Sequence, residues 1–354
     1  MPPFHALSLF SGCGGDTLGL ERAGGTVDAF SEFNKAATQT HLHNFPGSVH
    51  LVEGGSSDIT KLSDSVFEPY RGKIDVVFAG FPCQGFSKAG KKSATDPRNQ
   101  MFRQFVRVAK IVKPRYIIGE NVTGLLTMAS GPAETDPLVL DIIKDEFRKI
   151  GYEITHQIME ATEVGVPQKR KRLFLVGWRT DGPELVPASF WAQVAAWGAA
   201  QTMPTLRSFV QPCLQDAYPL EGDKVPEGFA NVALEVAANA GVTGSVHPFV
   251  RLKADAKLLS CSKRGSPIHS EVINLDNPSK TIICTYDHQP RLLVGLKRAG
   301  GDAWVRTLYT DELKQIQGFP ATFTVLGSRK EQVVQVGNAV PPSLVEAVAR
   351  ALFP

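Results

Sequence analysis

The chain has 354 residues, 43% hydrophobic and 21% charged, with a formal net charge of +3. This is ordinary for a globular protein holding one large domain and a smaller one, and the mild positive balance permits a nucleic-acid partner without demanding it. Five widely spaced cysteines with no C-x-x-C pair argue against a disulfide framework and a zinc finger, and for a reducing cytoplasm. The eight histidines form no H-E-x-x-H pattern, and no metal is expected. Met1-Pro2-Pro3-Phe4-His5 lacks the regions of a secretion signal, and no run of about 18 uncharged apolar residues suggests a membrane span. A cytoplasmic protein without membrane association is expected.

The first strand is His5 to Phe10, followed by Ser11-Gly12-Cys13-Gly14-Gly15 and a helical stretch closed by Gly24-Gly25. A strand, a Gly-rich turn and a helix form a nucleotide-type cradle. The dinucleotide fingerprint G-x-G-x-x-G fails, because Thr17 stands where the third Gly belongs. A plain tight turn is the alternative. The second strand, about Thr26 to Ser31, ends at Glu32, at the separation from which an acid reaches ribose hydroxyls. Phe33 beside it can lie on a base ring. In the following helix, His41 and His43 fall on different faces. Asp58 can accept a hydrogen bond from an exocyclic amine or cap the next segment.

The apolar run Ile74 to Ala79 reads as a buried strand, which places Pro82-Cys83-Gln84 just past its carboxyl end. A cysteine there is either a small buried residue or a nucleophile. The polar, basic loop Ser87 to Asn99 suits a phosphate backbone. A helix to Val112 follows, then a strand from Pro114 ending at Glu120-Asn121-Val122. In a parallel sheet, Cys83 and Glu120 point into one crevice. Val139 to Ile150 is an amphipathic helix, and Tyr152 to Met159 a strand. Alternation along Gln168-Lys169-Arg170-Lys171-Arg172 puts Gln168, Arg170 and Arg172 on one side and both lysines on the other. Residues 179 to about 250 lose the strand and helix alternation and read as an irregular second domain, followed by a basic, loop-rich stretch to Arg264. Thr310 is an N-cap candidate, Gly318 a C′ residue, and the chain ends in a helix with Leu344, Val345, Val348, Ala349 and Leu352 on its apolar face.

Taken together, the ordered set Phe10-x-Gly12-x-Gly14-Gly15, Glu32, Asp58, Pro82-Cys83-Gln84, Glu120-Asn121-Val122, Gln168-x-Arg170-x-Arg172, Gln317-Gly318-Phe319-Pro320 and Gly337-Asn338-Ala339-Val340 resembles the cytosine-5 DNA methyltransferases of prokaryotic or phage type. The resemblance covers residues 5–178 and 306–353 well, and 179–305 less. It implies an α/β fold: an S-adenosylmethionine-dependent, Rossmann-like, mostly parallel sheet with a smaller inserted target-recognition domain. The catalytic domain would span 1–178 plus 335–354, and the recognition domain 179–334.

The implied reaction methylates carbon 5 of a specific cytosine in double-stranded DNA. Cys83 attacks carbon 6 of a flipped-out base, Glu120 bonds ring nitrogen 3 and the amine, and Arg172 with Arg170 holds the base oxygen. Phe10, Gly12, Gly14, Glu32, Phe33, Asp58, Ile59, Pro82 and Asn338 surround S-adenosylmethionine in the family's pattern. Candidate DNA contacts are Gln84, Ser87, Arg98, Lys263, Arg264, Thr281 and Arg291, with Tyr286 and His288 as further base-reading candidates. Double-stranded DNA is the expected partner of a monomer, alongside a cognate restriction endonuclease acting separately. Two rivals share the motifs. A tRNA methyltransferase of the same fold usually carries a Cys-Phe-Thr tripeptide, absent here, and a non-catalytic relative would lack Cys83 or Glu120.

Overall fold

A computed structural model describes residues 3–82, 101–131, 133, 135–220, 225–244, 251–252, 258–260, 270–298 and 301–354. The first half builds a sheet from β1 (Phe4–Leu9), β2 (Gly25–Ser31), β3 (Val49–His50), β4 (Val76–Ala79), β5 (Tyr116–Asn121), β6 (Tyr152–Glu160) and β8 (Lys171–Arg179). The short strand β7 (Gln168–Lys169) stands apart from it. The helices are α1 (Gly15–Arg22), α2 (Lys35–Asn44), α3 (Phe102–Val112), α4 (Val139–Arg148) and α5 (Pro187–Ala199). Strand order is β3-β2-β1-β4-β5-β8-β6. All neighbours are parallel except the pairs made by β8, so the sheet is mostly parallel, as expected. The chain leaves β1 for β2 on one side and returns to β4 on the other. That reversal opens a crevice at the strands' carboxyl ends, where open α/β sheets bind ligands.

Both faces of the sheet are covered. Phe4, Ala6, Val76, Phe78, Ile118 and Phe174 point to one core, while Leu7, Leu9, Val77, Ala79, Ile117 and Leu175 point to the other. This two-residue period is why the strands read as continuous apolar runs. The helix α9 (Pro342–Leu352) packs in the first core through the five apolar residues read from sequence. Its contact with α1 depends on small residues: a Cβ on Gly15 would lie 2.3 Å from the Val340 carbonyl oxygen, and one on Gly19 2.4 Å from that of Pro342.

The reading of residues 179 to 250 as irregular misses α5, whose Phe190, Trp191 and Val194 are buried in the first core. Their i, i+4 spacing was the available signal, diluted by the surrounding alanines and glycine. Beyond α5 a second sheet forms from β9 (Tyr218–Leu220), β10 (Leu234–Val236), β11 (Arg251–Leu252), β12 (Leu258–Ser260), β13 (Ser270–Val272), β15 (Leu292–Arg298) and β16 (Ala303–Thr307), with the small helix α6 (Phe229–Val232). Here β14 (Ser279–Lys280) instead pairs with β7, stitching the two parts together. The helices α7 (Thr310–Ile316) and α8 (Arg329–Asn338) put Leu313, Ile316, Val333 and Val336 into a separate core against the second sheet. The N-cap of α7 is Tyr309 rather than Thr310, with its amide held by Glu312, and Gly318 takes the left-handed C′ position at φ 96°. No helix among the described residues is long and apolar enough to cross a membrane.

Candidate active site

Hydrogen-bonded register aligns three strand ends. Leu9 of β1 sits beside Ala79 of β4, and Ala79 beside Gly119 of β5. The next residues, Phe10, Gly80 and Glu120, therefore form a row at the carboxyl edge. A Cβ on Gly80 would lie 3.8 Å from the Phe10 carbonyl oxygen and 3.9 Å from Glu120 Oε2. Phe10 has φ 56°, a left-handed conformation that a bulky residue adopts only when its surroundings impose it.

Glu120 is buried and pairs with Arg172, the guanidinium Nε lying 2.9 Å from Oε1. Burial pushes the Glu120 carboxyl upward, and the charges of Arg172 and then Arg170 oppose this. Burial also works against Arg172, but a guanidinium keeps its proton, so the titrating member of the pair is Glu120. The side chain of Asn121 donates to the Phe81 carbonyl oxygen at 3.0 Å, which fixes the backbone entering Pro82. Cys83, Gln84, Ser87, Arg98, Lys263 and Arg264 lie outside the described residues.

Arg170 does not share the position of Arg172. It is 1% exposed and donates to the carbonyl oxygens of Ile282, Gly337 and Ala339, each at 3.0 Å. The strand alternation put it on the Gln168 and Arg172 side, but the segments of β14 and α8 close over it there. Gln168 and Gln317, which the sequence reading left without a role, join the same buried junction. Gln168 Nε2 donates to Gln317 Oε1, Gln317 Nε2 to the Ala339 carbonyl oxygen, and the Ile282 amide to Gln168 Oε1. Asn338, exposed at the end of α8, is thereby held between two clamped neighbours, and Val340 brings its segment against Gly15.

Around the Gly-rich turn, Glu32 Oε2 accepts from the Gly12 amide at 2.9 Å and Oε1 from the Asn34 amide at 2.7 Å. Gly12 and Gly14 both have positive φ, so the turn needs them. A Cβ on Gly12 would meet nothing within 4 Å, so the turn opens on free space among the described residues. The ring of Phe33 is 72% exposed at the rim. Ile59 is buried, and Asp58 Oδ1 accepts from both the amide and hydroxyl of Thr60. Asp58 thus makes the local cap named as its alternative role. Sequence reasoning missed Arg107 of α3, which holds this loop by donating to the Ile59 and Leu62 carbonyl oxygens and to Asp64.

On the recognition side, Thr281 Oγ1 donates to the Lys169 carbonyl oxygen at 2.7 Å, and Arg291 and His288 are exposed. Tyr286 is a correction. It is 1% exposed, its hydroxyl donates to the Leu292 carbonyl oxygen and accepts from the Leu308 amide, and it belongs to the core of the second sheet rather than to a base-reading surface.

Comparison with known proteins places this geometry. The sequence profile described as "C-5 cytosine-specific DNA methylase" matches residues 4–354. The chain is 32% identical over 360 residues to the Type II methyltransferase M1.HphI of Haemophilus parahaemolyticus, covering 98% of this chain and 86% of that one. It is 29% identical to the Type II methyltransferase M.NgoPII of Neisseria gonorrhoeae, covering 99% and 95%. Its fold matches a putative DNA modification methyltransferase encoded within a prophage (E. coli), with TM-score 0.64, 21% identity and coverage of 99% and 98%. It also matches the S. pombe Dnmt2 methyltransferase, with TM-score 0.62, 17% identity and coverage of 99% of both chains. With its mostly parallel sheet, its row of strand-end residues and a profile match across nearly every residue, this chain belongs to the C-5 cytosine-specific DNA methylase family.

Proposed function

We propose that the crevice at the ends of β1, β4 and β5 methylates carbon 5 of a cytosine flipped out of double-stranded DNA, with the residue roles that follow. The family supplies the reaction, a DNA cytosine-5 methyl transfer. The observation supporting the roles is the buried Glu120–Arg172 pair, in one row with Phe10 and Gly80 and beside the strand that leads to Pro82-Cys83.

Carbon 5 of cytosine is a weak nucleophile in the neutral ring. The Cys83 thiolate adds to carbon 6, and the electron pair it displaces makes carbon 5 nucleophilic. Glu120, whose proton affinity burial raises, gives its proton to ring nitrogen 3 as charge develops there. Arg172 fixes the carboxyl and reaches the base oxygen. After methyl transfer a base, water or side chain, takes the proton from carbon 5, the sulfur leaves as the thiolate, and ring nitrogen 3 returns its proton to Glu120, restoring both the ring and the enzyme. Arg170 acts at one remove, by positioning the Ile282 and Asn338 segments.

The residues present fit S-adenosylmethionine, which supplies an electrophilic methyl group on its sulfonium. Gly12 opens on free space, Phe33 offers a free ring face, and Glu32 is pinned through one lone pair on each oxygen, leaving the others for ribose hydroxyls. Phe10 would share the adenine with Phe33, Asp58 and Ile59 would meet its edge, and Gly14, Pro82 and Asn338 would close the rest. The remainder of 179–334 reads the DNA sequence, with α5 grouped with the catalytic part and the division near residue 200. Thr281 and Arg291, together with Gln84, Ser87, Arg98, Lys263 and Arg264, are the proposed DNA contacts. A separate restriction endonuclease acting beside it fits the Type II relatives, and we propose that the enzyme works as a monomer.

Labelled methyl transfer from S-adenosylmethionine to duplex DNA and to tRNA, with Cys83→Ser alongside, tests the reading. Label is expected in duplex DNA alone, and none with the variant. Transfer to tRNA only, or undiminished transfer by the variant, would overturn it.

A further inference from the structure

A buried polar cluster beneath the Ser11–Gly14 turn takes part in no step above. Asp16, 2% exposed, lies in the first turn of α1, where the helix dipole favours a negative charge. Its Oδ2 accepts from Ser8 Oγ of β1, and Ser11 Oγ lies 3.5 and 3.4 Å from its two carboxyl oxygens. The two serine hydroxyls are 2.7 Å apart. Ser11 Oγ is also 3.4 Å from Thr17 Oγ1, which is 2.9 Å from Nε2 of the buried His41 on α2. One line of hydroxyls thus runs from β1, under the turn, to α2. Ser11 also closes the turn itself: its amide donates to the Ser31 carbonyl oxygen and its own carbonyl accepts from the Gly14 amide. The residue immediately before it is Phe10, held at φ 56°.

We infer that Asp16 is a positioning residue for the methyl-donor site: its carboxylate, acting through Ser11, holds the strained Phe10–Gly12 turn in the shape that accepts S-adenosylmethionine. The inference rests on the cofactor reading proposed above. An ionised carboxylate only accepts hydrogen bonds, so Ser8 donates to it and Ser11 donates in turn to Ser8, with its hydroxyl at the edge of the carboxyl's reach. A protonated one donates to Ser8, which turns Ser8 toward Ser11 and Ser11 toward Thr17, reversing every bond along the line and changing what Ser11 holds beneath the turn. Both states are within reach, because burial brings the Asp16 carboxyl up to about 7 against the bonds it accepts. His41 stays neutral, pushed down to about 3 by burial and then by His50, and so can donate to or accept from Thr17.

Among the described residues, the other ionisable groups facing the cluster are few. Cys13 of the turn keeps its proton, burial pushing its thiol to about 12. Glu32 at the end of β2 is also pushed upward by burial. From α9, on the far side of α1, Glu346 and Arg350 bond each other near Arg22, at the opposite end of the helix.

Calorimetric binding of S-adenosylhomocysteine to the full chain between about pH 5.5 and 8.5 tests this, comparing the wild type, Asp16→Asn and Ser11→Ala. Wild-type affinity is expected to weaken about tenfold as the pH falls through about 7, while Asp16→Asn stays about tenfold weaker at high pH and lacks that step. Glu32 titrates in both proteins, so the difference between the two curves belongs to Asp16. Ser11→Ala, which keeps the charge and breaks the link, is expected to bind like Asp16→Asn at high pH, and it serves if Asp16→Asn fails to fold. A role limited to folding gives the opposite trend, because the folding contribution of Asp16 is greatest at low pH. Parallel curves for wild type and Asp16→Asn, or wild-type binding by Ser11→Ala, would overturn the inference and leave the cofactor reading intact. Absence of binding by the wild type at every pH would overturn the cofactor reading, and this inference with it.

Discussion

At Glu120 desolvation and a salt bridge oppose one another, and desolvation wins: the carboxyl is pushed upward although Arg172 lies 2.9 Å away. Replacing it by Gln keeps the shape but removes the transferable proton. Single-turnover methylation by Glu120→Gln is expected to fall about 10²–10⁴-fold with DNA affinity changed far less, measured by rapid quench and by titration of labelled duplex. The alkaline limb of the wild-type pH profile, where rate falls as Glu120 loses its proton, should be missing from what remains. Asp16 gives a prediction about folding. Its carboxyl titrates near 7 in the folded protein against about 4 in an unfolded chain, so the folded state binds the extra proton between those values. The stability it contributes is complete below about pH 4 and is lost as the pH rises through about 7. Urea denaturation of Asp16→Asn should lack that slope. At this scale the residue types were legible, since an acid at a strand end and a Pro-Cys-Gln block point to the chemistry proposed for them. Asp16 was not legible, because nothing in Gly-Gly-Asp-Thr says that the acid turns inward to two serines from other segments.

Among elements, α3 does two things. Phe105, Val108 and Val112, whose helical spacing with Met101 was plain in the sequence, pack the second face of the sheet together with Phe102. Its polar side carries Arg107, which ties down the loop from Ile59 to Asp64. Arg107→Ala removes the bonds to two carbonyl oxygens and one carboxylate. It is expected to cost about 1–3 kcal/mol of stability in denaturant titration and to weaken S-adenosylhomocysteine binding, because Asp58 and Ile59 lose their support. Unchanged affinity would separate this loop from the donor site. The helix α5 shows the limit of pattern reading at this scale: Phe190, Trp191 and Val194 repeat correctly, but Ala, Gly and Gln around them weaken the contrast between faces.

For the whole molecule, the decisive feature is the junction where Gln168, Arg170 and Gln317 bond the segments around Ile282 and Gly337–Ala339. Gly337 belongs to it as well, since a Cβ there would lie 2.5 Å from the Cys284 amide nitrogen. Arg170→Met fills the same volume but strands three buried carbonyl oxygens. It should destabilise the protein by about 3–5 kcal/mol in denaturant titration, a larger loss than for an exposed lysine such as Lys169. Retained stability would mean that the junction is not what joins the two sheets. By itself the sequence determined the alternating β/α order, the buried strands and the Gly-rich turn, and it suggested the chemistry proposed for Cys83 and Glu120, because these depend on local periodicity and on side-chain type. Only the tertiary structure decided that Arg172 meets Glu120 while Arg170 turns into the core, that Tyr286 is a core residue, and that α5 joins α9 in the first core. Each of those outcomes depends on what arrives from distant parts of the chain. A strand's period puts Gln168, Arg170 and Arg172 on one side, but only the approach of β5, β14 and α8 determines what each of them meets there.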